Sequence, residues 1–245
     1  MSRWLLCRER RPGAALRLYC FPPAGGTTGD YLRWSDVLPD IEVWGVQPPG
    51  RGDRLEEPPF TRLEPLIESL LGDVVFEAPF AFFGHSMGAL LAFEVTRRLR
   101  DEGREQPECL FVSAHRAPHL PHGDAPIHEL PGPAFLRVYQ ERYPALPDDL
   151  LADDELLEQV LATHRADLAV FESYRHVAGR PLDCRLVVIG GAEDRWTEAD
   201  LARWRSHTTG PFRVLTIPGD HFLLRSSRDH LVRIVAAHVR EVVER

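Results

Sequence analysis

Short apolar runs alternate with longer stretches of helical spacing along this chain. Leu16 to Phe21 reads as a buried strand, stopped by the turn residues Pro22-Pro23-Ala24-Gly25-Gly26. Tyr31 to Leu38 is a short helix candidate. Ile41 to Val46 is a second strand, closed by Pro48-Pro49-Gly50-Arg51-Gly52-Asp53-Arg54. Residues 62–77 carry apolar side chains at helical spacing: Leu63, Leu66, Ile67, Leu70, Leu71 and Val74. The apolar run Pro79 to Phe83 predicts another strand. A helix with Ala89, Leu90, Leu91, Ala92, Phe93, Val95 and Leu99 follows and ends at Gly103, a C-cap residue. Cys109 to Val112, Arg185 to Ile189 and Phe212 to Ile217 are further strands. Leu231, Ile234, Val235, Val239 and Val242 form one stripe on a last helix. Strands that alternate with helices predict an α/β fold with a mostly parallel central sheet, covered on both faces. Functional groups then belong at the C-terminal ends of the strands.

One section breaks this rhythm. No convincing strand occurs from about Pro118 to Gly179. The segment opens with Pro118, Pro121, Pro126, Pro131 and Pro133, and helical patterns follow near 133–143, 153–162 and 164–177. The expected organisation is core (1–117), helical lid insertion (118–179) and core again (180–245).

Composition narrows the function classes. The 245 residues are 44% hydrophobic and 27% charged, as in ordinary globular domains. A net charge of −8 gives no support to nucleic-acid binding. No apolar run approaches the ~20 residues of a membrane helix, and residues 1–8 lack the apolar stretch of a signal peptide. The expectation is a cytoplasmic monomer. Cys7, Cys20, Cys109 and Cys184 form no C-x-x-C pair. They read as free thiols, the last three in buried strands, so no metal site is expected.

The chemistry enters at Gly84-His85-Ser86-Met87-Gly88, a G-x-S-x-G pattern between strand and helix. Such a turn lifts a serine hydroxyl above a parallel sheet, and its outer glycines let strand and helix approach closely. A serine hydroxyl needs an imidazole to take its proton and a carboxylate to orient that imidazole. In this chain order the acid comes next and the histidine last. The strand 185–189 runs into Gly190-Gly191-Ala192-Glu193-Asp194, which makes Asp194 the favoured acid and Glu193 its alternative; both can also cap a helix beginning near Thr197. The last strand runs into Pro218-Gly219-Asp220-His221-Phe222, which favours His221 as base among eleven histidines. His230 and His238 lie on the terminal helix, and His85 packs inside the turn. An oxyanion needs preorganised N–H donors. The Met87 N–H follows the nucleophile. Pro22 and Pro23 have no N–H, so Ala24 is the first possible second donor and Gly25 the next.

With these parts in place the chain resembles the type II thioesterases, stand-alone α/β-hydrolases that accompany polyketide and nonribosomal peptide synthetases. The resemblance rests on Phe21 to Gly26, Pro49-Gly50-Arg51-Gly52-Asp53-Arg54, the Ser86 turn, Arg165-Ala166-Asp167 with Glu172-Ser173-Tyr174, Gly190 to Asp194, and Gly219-Asp220-His221-Phe222. The Arg51 loop and the Arg165-to-Tyr174 helix are the most particular to the family. The resemblance implies hydrolysis of acyl groups from the phosphopantetheine arm of acyl or peptidyl carrier proteins, without any bound cofactor. It implies Ser86 as nucleophile, His221 as base, Asp194 as its orienter, and lid helices that shape the acyl pocket. Glu141 to Pro147 departs from the glycine-containing turn usual in relatives.

Other residues carry weaker signals. The Arg51-Asp53-Arg54 loop reads first as a turn closed by local ion pairing and second as a substrate contact. Arg97, Arg98, Arg100 and Arg104 read as a solvated helix end, with carrier docking as the alternative. Phe135, Tyr139, Phe171 and Tyr174 are candidates for the acyl channel. A small-molecule esterase or an acyltransferase with the same triad is the competing function.

Overall fold

The computed structural model describes residues 2–121, 123–143 and 154–243. The chain runs β1 (Leu5–Leu6), β2 (Leu16–Phe21), α1 (Gly29–Leu32), β3 (Ile41–Val46), α2 (Leu63–Asp73), β4 (Phe80–His85), α3 (Met87–Asp101) and β5 (Cys109–Ser113). It continues through α4 (Gly132–Arg142), α5 (Asp154–Ser173), β6 (Arg185–Gly191), α6 (Glu198–Ala202), β7 (Phe212–Ile217), α7 (Leu223–Ser226) and α8 (Arg228–Val243). The seven strands form one sheet in the order β1-β3-β2-β4-β5-β6-β7. β1 is antiparallel to β3, and the remaining neighbours are parallel. This is the expected α/β architecture with helices on both faces.

Period-two alternation in fully buried strands builds two cores. On β4, Phe80 and Phe82 join the layer under α2 and α3, while Ala81 and Phe83 join the layer that holds Tyr31, Trp34 and α8. β2 splits in the same way: Tyr19 and Phe21 enter the first layer, Leu18 and Cys20 the second. Burying each large apolar side chain contributes ~1.5–3 kcal/mol. The central strand β4, buried on both faces, leads directly into Ser86.

Between β5 and β6 the described residues contain no strand. Helices α4 and α5 pack a small core of their own from Ile127, Phe135, Tyr139 and Leu168. The two helices expected at 153–162 and 164–177 are one. Helix α5 runs unbroken through Thr163, whose hydroxyl back-bonds to the Gln159 carbonyl at 3.4 Å, and it ends at Ser173. Position 153 and the unusual Pro144-to-Pro147 stretch lie outside the described residues. The hydrophobic pattern shows neither the two-residue β1 nor the four-residue α7.

Two further expectations change. Cys20 and Cys109 are buried strand thiols, but Cys184 precedes β6 and is half-buried; all four cysteines are free. The arginines of α3 are engaged rather than merely solvated. Arg97 donates to the Val177 carbonyl at 2.8 Å and Arg100 to the Arg180 carbonyl at 2.5 Å, fastening the chain as it returns to the core. No helix among the described residues is long and apolar enough to cross a membrane.

Candidate active site

Ser86 sits between β4 and α3 at φ 53° and ψ −118°, a left-handed conformation that a non-glycine residue adopts only under constraint. The constraint comes from both sides of the turn. A Cβ on Gly84 would lie 2.3 Å from the Gly88 carbonyl oxygen, and one on Gly88 would lie 2.1 Å from the Phe21 carbonyl oxygen. The two glycines let α3 start directly against β4 and β2. The Ser86 N–H donates to the Ser113 carbonyl at 2.8 Å, which ties the turn to the end of β5.

Asp194 and His221 follow the ends of β6 and β7, beyond β5 in the sheet. His221 Nε2 lies 3.0 Å from Ser86 Oγ. His221 Nδ1 lies 3.1 Å from Asp194 Oδ2 and 3.3 Å from Oδ1. The Asp194 carboxylate is 1% exposed and also accepts the Arg195 N–H at 2.6 Å. The loops that carry acid and base are bonded to each other: Ala192 N–H donates to the Ile217 carbonyl at 2.8 Å and Glu193 N–H to the Gly219 carbonyl at 3.0 Å. Gly191 is required there, since a Cβ would lie 2.3 Å from the Gly219 carbonyl oxygen. The His221 loop is pinned further by Asp220, which accepts the Phe222 N–H at 2.9 Å and the Ser226 hydroxyl at 3.0 Å.

The alternatives raised by the sequence fall elsewhere. Glu193 makes no hydrogen bond or ion pair with His221, whose polar partners are Asp194 and Ser86. His238 Nδ1 bonds the Ile234 carbonyl within α8. His85 is buried, with Nδ1 3.0 Å from Ser113 Oγ, and burial drives its pKa down to about 3. It is a neutral packing group that supports the turn.

The triad opens into a cavity of about 500 Å³ between the strand ends and the 118–179 segment. Ala24, Met87, Tyr139 and Phe171 border it. Phe135 does not border it: it is fully buried in the core of α4 and α5, under the Arg165 guanidinium. Tyr174 points instead to α3, where its hydroxyl donates to Glu94 at 2.7 Å. Among the described residues, neither the Ala24 N–H nor the Met87 N–H has a hydrogen-bond partner. The Gly25 N–H is occupied, donating to Asp167 Oδ2 at 2.7 Å. Two backbone donors without a partner thus lie on residues that border the same cavity as Ser86.

Asp167 is the residue whose place in the site the spacing did not disclose. It pairs with Arg51 at 2.8 Å across 116 residues. Arg51 is therefore not paired within its own loop as expected, whereas Arg54 does pair locally, with Glu57 at 2.6 Å. Both partners belong to the two motifs most particular to the family, which was the only available signal.

The thioesterase family model matches residues 16–239. The chain belongs to the thioesterase family. It is a thioester hydrolase, and the resemblance to the type II enzymes of polyketide and nonribosomal peptide pathways holds. Thioesterase PikA5 of Streptomyces venezuelae is 36% identical over 241 residues, covering 96% of this chain and 85% of that protein. Among solved structures, the thioesterase RedJ from the prodiginine pathway of Streptomyces coelicolor is 38% identical. Its TM-score is 0.83, with coverage of 95% of this chain and 90% of that one. The type II thioesterase BorB from the borrelidin biosynthetic cluster is 34% identical with a TM-score of 0.85, covering 96% of this chain and 97% of that one.

Proposed function

We propose that this protein releases acyl groups from the phosphopantetheine arm of acyl or peptidyl carrier proteins, clearing stalled or aberrant chains from a synthase. Ser86 Oγ attacks the thioester carbon while His221 Nε2 takes its proton. Asp194 accepts the His221 Nδ1–H, which sets the tautomer and stabilises the imidazolium. The carbonyl oxygen gains charge between the Ala24 and Met87 N–H groups. The imidazolium then protonates the departing thiolate, and the acyl group remains on Ser86. Water, deprotonated by His221, repeats the sequence and frees the acid. The protein needs no cofactor of its own in this scheme, since the pantetheine belongs to the partner.

The observation that carries this reading is the hydrogen-bonded chain Ser86–His221–Asp194 in a thioesterase-family protein. The 118–179 segment acts as the lid, with Tyr139 and Phe171 on the acyl channel. In this reading the protein works as a monomer in the cytoplasm. The test offers one acyl group as carrier-bound thioester, short soluble thioester and oxygen ester. Highest kcat/KM on the carrier-bound form supports the reading. Highest kcat/KM on the oxygen ester would make the protein a small-molecule esterase with the same triad.

A further inference from the structure

Two family-particular motifs, Pro49-Gly50-Arg51-Gly52 and Arg165-Ala166-Asp167, touch none of the reacting atoms in that scheme. They meet in one buried ion pair beside the site. Arg51 Nη2 donates to Asp167 Oδ1 at 2.8 Å, with side chains 3% and 5% exposed. The other carboxylate oxygen, Oδ2, accepts the Gly25 N–H at 2.7 Å. Arg51 Nη1 donates to the Gly26 carbonyl at 3.2 Å. Thr163, one turn before Asp167 on α5, donates its hydroxyl to the Gly50 carbonyl at 2.5 Å. The loop that presents the Ala24 N–H is thus gripped at Gly25 by a carboxylate from α5 and at Gly26 by a guanidinium from the loop after β3.

The grip has a physical purpose. Gly25 sits at φ +66°, a region glycine enters freely and leaves as freely. Something outside the loop must hold it there. A carboxylate that accepts a backbone N–H makes a shorter and roughly twice stronger bond than a neutral acceptor does. Arg51 compensates the buried charge that this acceptor brings. Occupying the Gly25 N–H also fixes the adjoining peptide, leaving Ala24 as the donor that faces the cavity.

We propose that Asp167, its buried charge offset by Arg51, is a positioning residue for the oxyanion hole, holding Gly25 and through it the Ala24 N–H where the thioester oxygen gains charge. The inference rests on Ala24 serving as an oxyanion donor. Because Asp167 belongs to α5, the seating of that helix on the core and the completion of the hole are one event. An enzyme with α5 displaced has its triad but not its full oxyanion hole.

Two double variants separate this role from plain stabilisation. Both replace the ion pair by uncharged groups, which buried pairs often tolerate. R51M/D167N keeps an oxygen for the Gly25 N–H; R51M/D167L removes it. The readouts are kcat and KM on p-nitrophenyl butyrate, inhibition by phenylboronic acid (whose serine adduct places an oxygen in the hole), and Tm. R51M/D167N is expected within about 3-fold of wild type in kcat and boronate affinity. R51M/D167L is expected to lose about 30-fold or more in both at unchanged KM, somewhat less than deletion of a whole donor costs. Equal kcat and boronate affinity in the two variants would overturn the proposal. If R51M/D167L does not fold, R51M/D167A takes its place with the same expectations. A wild-type protein that fails to unload carriers would sink the functional reading without touching this test, which uses neither carrier nor thioester.

Discussion

A serine at φ 53° is held against the preference of its own backbone, at a cost of ~1–3 kcal/mol. Its surroundings over-determine it: the Ser113 carbonyl takes its N–H, and the buried His85 before it bonds the Ser113 hydroxyl. The proposed mechanism uses that strain to present Oγ to His221 Nε2 at 3.0 Å. Ser86→Ala and His221→Ala are each expected to lower kcat by several powers of ten, measured on any thioester the enzyme accepts. Asp194→Asn keeps the shape but favours the wrong tautomer, and a loss of about 10⁴-fold in kcat is expected, with KM little changed. A loss below tenfold would mean that His221 does not depend on Asp194. These three residues were legible because strand order and loop position single them out. Arg51 with Asp167 was not, because no period or spacing in a sequence encodes a contact across 116 residues.

The elements explain why the elbow tolerates so little change. Gly88 lies on the first turn of α3, where a methyl group would meet the Phe21 carbonyl oxygen at 2.1 Å. That oxygen belongs to a central strand and cannot yield. Gly88→Ala is expected to destabilise the fold by at least about 2 kcal/mol, visible as a lower midpoint in urea. It should also reduce kcat, because α3 must back away from β2 and carry the Met87 N–H with it. An unchanged midpoint would show that the close approach does not constrain the turn. At this scale the sequence reading was strongest for long, fully buried strands such as β4. It was weakest where elements are short or continuous. β1 is too brief to show alternation. The break expected inside α5 has no counterpart, because Thr163 turns its hydroxyl onto neighbouring carbonyls instead of interrupting the helix.

At the scale of the molecule, folding buries imidazoles as well as apolar side chains. Burial pushes the pKa of His85 down to about 3 and that of His207 down to about 4. Both are neutral in the native protein yet take up protons below pH 6.5 when unfolded. The unfolded state then binds more protons, so stability falls as pH drops from 6.5. Each group adds up to about 1.4 kcal/mol per pH unit to that slope. Urea midpoints between pH 7 and pH 5 should fall accordingly, and a His207→Gln variant should show a shallower decline. An identical slope would remove His207 from the account. The sheet, its two cores and the three loops at its C-terminal edge converge on one chemical claim, that a carrier-bound thioester is hydrolysed through Ser86. The most direct test is the intact mass of an acyl-loaded carrier protein during incubation in ¹⁸O-water, with wild type and Ser86→Ala in parallel. The account predicts that wild type alone strips the acyl mass from the carrier and that the released acid carries one ¹⁸O. A carrier that stays loaded with wild type, or is unloaded equally by Ser86→Ala, would contradict it.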